Sequence, residues 1–153
     1  MPPIASNQIK SMTCKILLPV DGSECSARAA RHVAHLVGQI ENKEVHLVNV
    51  QPPGDDWMVR RMIKPDELAR MEQEWAQAAL APACDILRQA GIGFETHSLQ
   101  GDIAPTLVRL AEQLGCVQIV MGSRGLSSIG DLLMGSIAHK VLHLTRLPVT
   151  LVK

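Results

Sequence analysis

The residue types best suited to chemistry lie between Met121 and Lys140, in Met-Gly-Ser-Arg-Gly-Leu-Ser-Ser-Ile-Gly-Asp-Leu-Leu-Met-Gly-Ser-Ile-Ala-His-Lys. Gly122 and Gly125 form a turn after an apolar run, and Gly135 returns just before Ser136 and an apolar-periodic helix. Glycine lets the main chain approach a ligand closely and accepts positive φ. A helix beginning at Ser136 presents amides without intrahelical partners and the positive end of its dipole. Arg124, between the first two glycines, adds a cation to these backbone donors, although an arginine there also suits a solvated surface. Together they predict polyphosphate binding without a P-loop lysine. The plainer reading is a surface loop with a helix cap, but a cap needs one small residue rather than three at fixed intervals. On the binding reading, Gly122→Val fills space needed by the ligand and leaves the fold intact.

Other constellations carry less. Asp21-Gly22-Ser23 follows a strand, and Asp21 either bonds its own turn or reaches a ligand; both stay open. His139 and His143 stand four apart, a spacing that can hold a metal from one helix face. No acidic residue or cysteine follows at a suitable distance, so a solvent-facing stripe is expected and no metal site is assigned. His32 and His35 read the same way. Cys14, Cys25, Cys84 and Cys116 show no Cys-x-x-Cys pair and read as reduced, mostly buried thiols. Neither Gly-x-x-x-x-Gly-Lys-Ser/Thr nor Gly-x-Gly-x-x-Gly occurs, which excludes the P-loop and dinucleotide fingerprints. A lone Asp21 is not the acidic cluster of a phosphoacceptor domain. Hydrolysis needs a positioned water and a base near the terminal phosphate. No residue fills either role, so the catalytic set is empty.

The elements that position these residues alternate. Ile16 to Val20 is apolar on both faces, as in a central strand of a parallel sheet. Ala27, Ala30, Val33, Ala34 and Val37 then share one helical face. Val45 to Val50 is a second strand, Asp55 to Lys64 a loop containing Trp57, and Pro65 suits a first helical turn. Leu68, Met71, Trp75 and Ala79 form a stripe, with Trp75 and Trp57 expected in the core or on a partner surface. Pro82 predicts a kink or short break. Phe94 to Leu99 is the third strand; Leu107, Leu110, Ala111 and Leu114 mark a helix. Cys116 to Met121 is the fourth strand, and Val149 to Val152 the fifth. This β-α alternation implies an α/β fold, a parallel sheet with helices on both faces. Ligands in such sheets sit at the C-terminal strand ends. If strands one and four are neighbours, Asp21 and Gly122 face one crevice, but periodicity alone cannot establish that adjacency.

The 153 residues suit one domain, residues 14–153, behind a flexible N-terminal extension, residues 1–13, rich in Pro, Ser and Asn. Net charge is zero and aromatics are 2%. That leaves neither a basic surface nor stacking platforms for nucleic acid. No apolar run reaches the length of a membrane span, and residues 1–12 lack a signal-peptide core. A cytoplasmic protein is expected.

With these landmarks in order, the chain resembles the universal stress protein family from about Cys14 to Lys153. The resemblance rests on Pro19-Val20-Asp21-Gly22-Ser23, on the spacing Gly122, two residues, Gly125, nine residues, Gly135-Ser136, and on Leu147-Pro148-Val149-Thr150-Leu151-Val152. It implies a Rossmann-like open five-stranded sheet in the order 3-2-1-4-5, and the family's ATP-binding branch. By that resemblance Pro19, Val20, Asp21 and Val50 meet the adenine. Met121, Gly122, Arg124 and Gly125 line the ribose-phosphate side, and Gly135, Ser136 and Ile137 meet the phosphates. An aspartate common early in the family's fourth strand is Val117 here, away from the phosphate side. The expected ligand is ATP with Mg²⁺, for which no protein ligand is named, because magnesium keeps waters and leans on the phosphates. A homodimer through the apolar last strand is expected. The alternatives are a slow ATP hydrolase and a ligand-free dimeric interaction module.

Overall fold

The sheet begins with β1 (Cys14–Pro19), whose Ile16, Leu17 and Leu18 are all at most 1% exposed. Consecutive buried residues require cover on both faces, and the rest of the chain supplies it. A computed structural model describes residues 13–54, 61–126 and 134–153. The predicted N-terminal extension, Trp57 and the middle of the glycine stretch lie outside these residues, apart from Thr13.

Helix α1 (Glu24–Val37) starts where the Ser23 side chain accepts a hydrogen bond from Ser26 N at 3.1 Å, a serine cap. The chain continues through β2 (Lys43–Gln51), α2 (Pro65–Gln89), β3 (Phe94–Gln100), α3 (Ile103–Leu114), β4 (Gln118–Gly122), α4 (Ser136–Leu144) and β5 (Val149–Val152). All strand pairs are parallel and the order is β3-β2-β1-β4-β5. The implied order 3-2-1-4-5 is therefore the observed one. It puts β5 at a sheet edge and makes β1 and β4 neighbours, with Ile16 opposite Gln118 and Leu17 opposite Ile119.

Strand alternation sends side chains to two cores. Ile16, Leu18, Val45 and Leu47 pack with Val33 of α1 and Leu87 of α2. Leu17, Val48 and Ile119 pack on the other face with Leu107 and Ala111 of α3 and Val141 of α4. Each fully buried Leu or Ile contributes about 1.5–3 kcal/mol relative to exposure. Among the described residues no helix is long and apolar enough to cross a membrane.

Each of two expectations is decided in one half: Pro82 makes no break, and Trp75 lies on the surface rather than in the core. Pro82 does not break its helix: α2 runs unbroken from Pro65 to Gln89. The lost hydrogen bond would have gone to the Ala78 carbonyl, and both Pro82 and Ala78 lie on the exposed face. That carbonyl lies on the side open to solvent, while the buried stripe Ala76, Leu80, Ala83, Cys84 and Leu87 continues past it. Trp75 is 56% exposed and does not belong to the core, because it lies off that stripe.

The thiols are as expected. All four cysteines are free, and Cys25, Cys84 and Cys116 are buried. Burial pushes the Cys116 thiol up to about 11 and raises Cys84 as well. The reactive thiolate at Cys116 grows only as pH climbs towards that value, so at pH 8 it is roughly one part in a thousand. Iodoacetamide followed by peptide mass mapping is expected to leave Cys84 and Cys116 unlabelled at pH 8 and to label both in denaturant. Labelling of Cys116 in the folded chain at the rate of a free thiol would contradict this.

Candidate functional site

Because β1 and β4 are adjacent, the turns that follow them rise together at the C-terminal edge of the sheet. Between these turns, the end of β2 and the first turns of α3 and α4 lies a cleft of about 680 Å³, open solvent at its mouth included. All the site residues expected from the sequence line it. Pro19, Val20 and Asp21 come from the end of β1, and Val50 from β2. Met121, Gly122, Arg124 and Gly125 come from β4 and its turn, and Gly135, Ser136 and Ile137 from the start of α4.

Asp21 resolves part of the choice left open by its sequence position. Its Oδ1 accepts a hydrogen bond from Ser23 N at 2.9 Å, shaping its own turn. Its Oδ2 accepts one from Leu126 N at 3.1 Å. One carboxylate thus ties the loop after β1 to the glycine segment after β4.

The glycines serve space more than dihedral freedom, since neither Gly122 nor Gly125 has positive φ. A Cβ built on Gly125 would lie 2.8 Å from Asp21 Oδ2, in the position the clamping carboxylate occupies. A Cβ on Gly122 would lie 3.0 Å from Cys25 Sγ and 3.1 Å from the Cys25 carbonyl carbon. Gly122 is therefore the point where β4 meets α1. A valine there would press on the α1 backbone as well as on the cleft that Gly122 lines, so its effect is not confined to ligand space.

Gly135 has a third role. It is the N-cap of α4, and having no side chain it makes no capping hydrogen bond. Its own N–H is tied to the Ser123 carbonyl at 2.7 Å, which anchors the returning chain at the end of β4. The first intrahelical bond is His139 N to Gly135 O at 3.0 Å. The amides of Ser136, Ile137 and Ala138 precede it and have no intrahelical acceptor. No acidic residue stands in the first turn to offset the dipole. One end of the cleft therefore combines these three amides with Arg124 and the Ser136 hydroxyl.

The other end is apolar. Val48, Ile103 and Leu107 line it beside Val20, Val50 and Met121. The sequence assigned none of Val48, Ile103, Leu107, Ala138, Ser26 and Ser123 to the site, although all six line it. Val48 shares a strand face with Val50 and was within reach of the period-two rule. Ile103 and Leu107 stand one helical turn apart and pass for ordinary core. Buried Asn49 was also missed: its Nδ2 donates to the Val20 carbonyl at 2.9 Å and fixes the strand end that walls the cleft.

Cys25 sits behind the turn, its Sγ 3.1 Å from the Val152 carbonyl oxygen. Burial pushes this thiol up, but hydrogen bonds from Arg124, Ser123 and Arg28 outweigh it and hold the group below its ordinary value. At 7% exposure it is a packing residue.

An open parallel sheet in the order 3-2-1-4-5, with an amide-lined cleft where β1 and β4 diverge, defines a Rossmann-like α/β protein. The sequence profile of the universal stress protein family matches residues 12–153, and the chain belongs to that family. Universal stress protein Sll1654 of Synechocystis sp. is 32% identical over 140 residues, covering 90% of this chain and 83% of its own. Among solved structures, hypothetical protein MJ0577 superposes with a TM-score of 0.79 at 28% identity, covering 93% of this chain and 96% of that one. The universal stress protein from Archaeoglobus fulgidus, solved in complex with dAMP, has the same fold. Its TM-score is 0.65 at 21% identity, with 93% of this chain and 98% of that one covered.

Proposed function

We propose that this chain is an ATP-binding universal stress protein, a nucleotide-dependent regulatory protein of the cytoplasm. The carrying observation is the cleft itself, apolar at one end and rich in uncapped amides at the other. Adenine suits the wall made by Val20, Val48, Val50 and Met121. The phosphates suit the start of α4, where Ser136 and Ile137 offer amides and Ser136 a hydroxyl, with Arg124 adding charge. Mg²⁺ would accompany the phosphates without a dedicated protein cage. The dAMP complex of the Archaeoglobus fulgidus protein supports an adenine nucleotide as the ligand class.

The reading assigns binding and no catalytic base, so hydrolysis is at most slow. It includes a homodimer through β5, whose Val-Thr-Leu-Val sequence lies at the sheet edge. The free cysteines suit a reducing compartment.

Denaturing the purified chain and identifying the released nucleotide by mass is the direct test. Thermal melting with Mg-ATP is expected to show stabilisation of about 2.7 kcal/mol at a hundredfold excess over Kd. Ser136→Ala is expected to shrink that shift by removing one hydroxyl contact, with the apo melting temperature little changed. No released nucleotide and no shift at millimolar ATP would overturn the reading in favour of a ligand-free dimeric interaction module. Steady phosphate release abolished by Ser136→Ala would instead mark a slow ATPase.

A further inference from the structure

One cluster of ionisable side chains lies on the same sheet face as the cleft, nearer the strand starts, and nothing in the nucleotide reading uses it. In β2 and β3, His46 pairs in register with Glu95 and Val48 with His97. Period-two alternation therefore turns His46, Glu95 and His97 to one face. His46 Nδ1 lies 3.1 Å from His97 Nε2 and 3.6 Å from Glu95 Oε2, and one ligand atom from each residue falls within 4.8 Å of the others. A tetrahedral ion with metal–nitrogen bonds of about 2.0–2.1 Å holds its ligand atoms about 3.3 Å apart.

We propose that His46, Glu95 and His97 form a site for a divalent transition-metal ion of the zinc class, separate from the nucleotide cleft. A second observation points the same way. His46 is 2% exposed, and its Nε2 is buried without a hydrogen-bond partner. The nearest acid to that atom is Glu44, with Oε2 at 3.6 Å, itself held by Lys15 Nζ at 3.0 Å. With the proton on Nε2, the N–H faces Glu44 and the Nδ1 lone pair faces His97 and Glu95. This is the carboxylate–histidine–metal order of metalloprotein sites, in which an outer carboxylate fixes the tautomer. A hydrogen bond between two neutral histidines accounts for the 3.1 Å contact but leaves His46 Nε2 buried without a partner. The Glu95 side chain is 72% exposed, so an ion can enter from solvent and keep water as its fourth ligand.

The test is calorimetric titration of the chelator-stripped full chain with ZnCl₂, with Co²⁺ absorption as a probe of geometry. The exposed pair His139 and His143, whose Nε2 atoms are 3.1 Å apart, is a competing chelate, so the measurements are repeated in a His139→Gln/His143→Gln background. The expected result is one Zn²⁺ per chain with unchanged affinity in that background and a tetrahedral Co²⁺ spectrum. His97→Ala and Glu95→Gln are expected to weaken binding at least a hundredfold, and Glu44→Gln about tenfold. Glu95 is exposed, so its variant keeps the fold and the comparison stands even if His97→Ala melts lower. Retention of Zn²⁺ affinity in both Glu95→Gln and His97→Ala, loss of binding with the His139/His143 pair, or no binding at 100-micromolar-order zinc would each overturn the proposal.

Discussion

Gly122→Val is expected to melt well below the parent chain in the absence of any ligand. The added Cβ starts 3.0 Å from Cys25 Sγ, 3.1 Å from the Cys25 carbonyl carbon and 3.2 Å from the Arg124 carbonyl oxygen. Two of these contacts are backbone, which cannot rotate aside as a side chain end can. Cys25 is in turn fixed by its contact to the Val152 carbonyl, and Val152 by a 2.8 Å hydrogen bond from Ser123 N. The strain therefore spreads through β4, β5 and α1 together. Overpacking of this kind costs about 1–3 kcal/mol, occasionally more. At this chain length a loss near the upper end lowers Tm by roughly 6–12 °C. Differential scanning calorimetry of the ligand-free proteins checks it, with Gly122→Ala expected between the two. An unchanged apo Tm combined with loss of the Mg-ATP shift would restore the ligand-space reading of this glycine.

Gly122 illustrates what the sequence could and could not convey. Hydrophobic runs and turn chemistry placed β1 to β5 and α1 to α4, because a central parallel strand such as β1 must be apolar on both faces and a peripheral helix on one; Arg61 and Met62, read as part of a loop, are helical. The spacing of Gly122, Gly125, Gly135 and Ser136 likewise marked the segment that lines the cleft. What spacing does not carry is the reason for each small residue. Gly122 is small for the α1 backbone and Gly125 for the Asp21 carboxylate, while Gly135 is an N-cap with no capping side chain. Those reasons belong to contacts between segments about a hundred residues apart. The His46, Glu95 and His97 cluster was hidden for the same cause: Glu-x-His in one strand is unremarkable until its register with the neighbouring strand is known. Pro82 misled in the opposite sense. The proline removes one helix hydrogen bond, yet on the solvent face the helix continues through it without a break.

Asp21→Ala is expected to weaken adenine-nucleotide binding at least tenfold, without direct contact to the ligand being needed. The carboxylate takes Ser23 N with one oxygen and Leu126 N with the other, so its removal frees the glycine segment that carries Arg124 and Gly125 into the cleft. A hydrogen bond to a charged group contributes about 1.5–3 kcal/mol, and the half-buried position of Asp21 puts each of these at or below the lower end. A loss of about 1.4 kcal/mol in loop order already corresponds to tenfold in affinity. Asp21→Asn should fall between, because its single carbonyl oxygen can satisfy one amide while its NH₂ group faces the other. Gly125→Ala reaches the same clamp from the opposite side, since its Cβ would stand 2.8 Å from Asp21 Oδ2 and push the carboxylate off Leu126 N. The two substitutions therefore damage one interaction, and their penalties must be strongly non-additive. Once Asp21 is alanine, Gly125→Ala has no carboxylate to displace and should cost little more. Calorimetric ATP affinities and apo melting temperatures of both single variants and the double variant close the cycle. Additive losses would show that the Asp21 carboxylate acts on the ligand itself and that the clamp between the two loops is incidental.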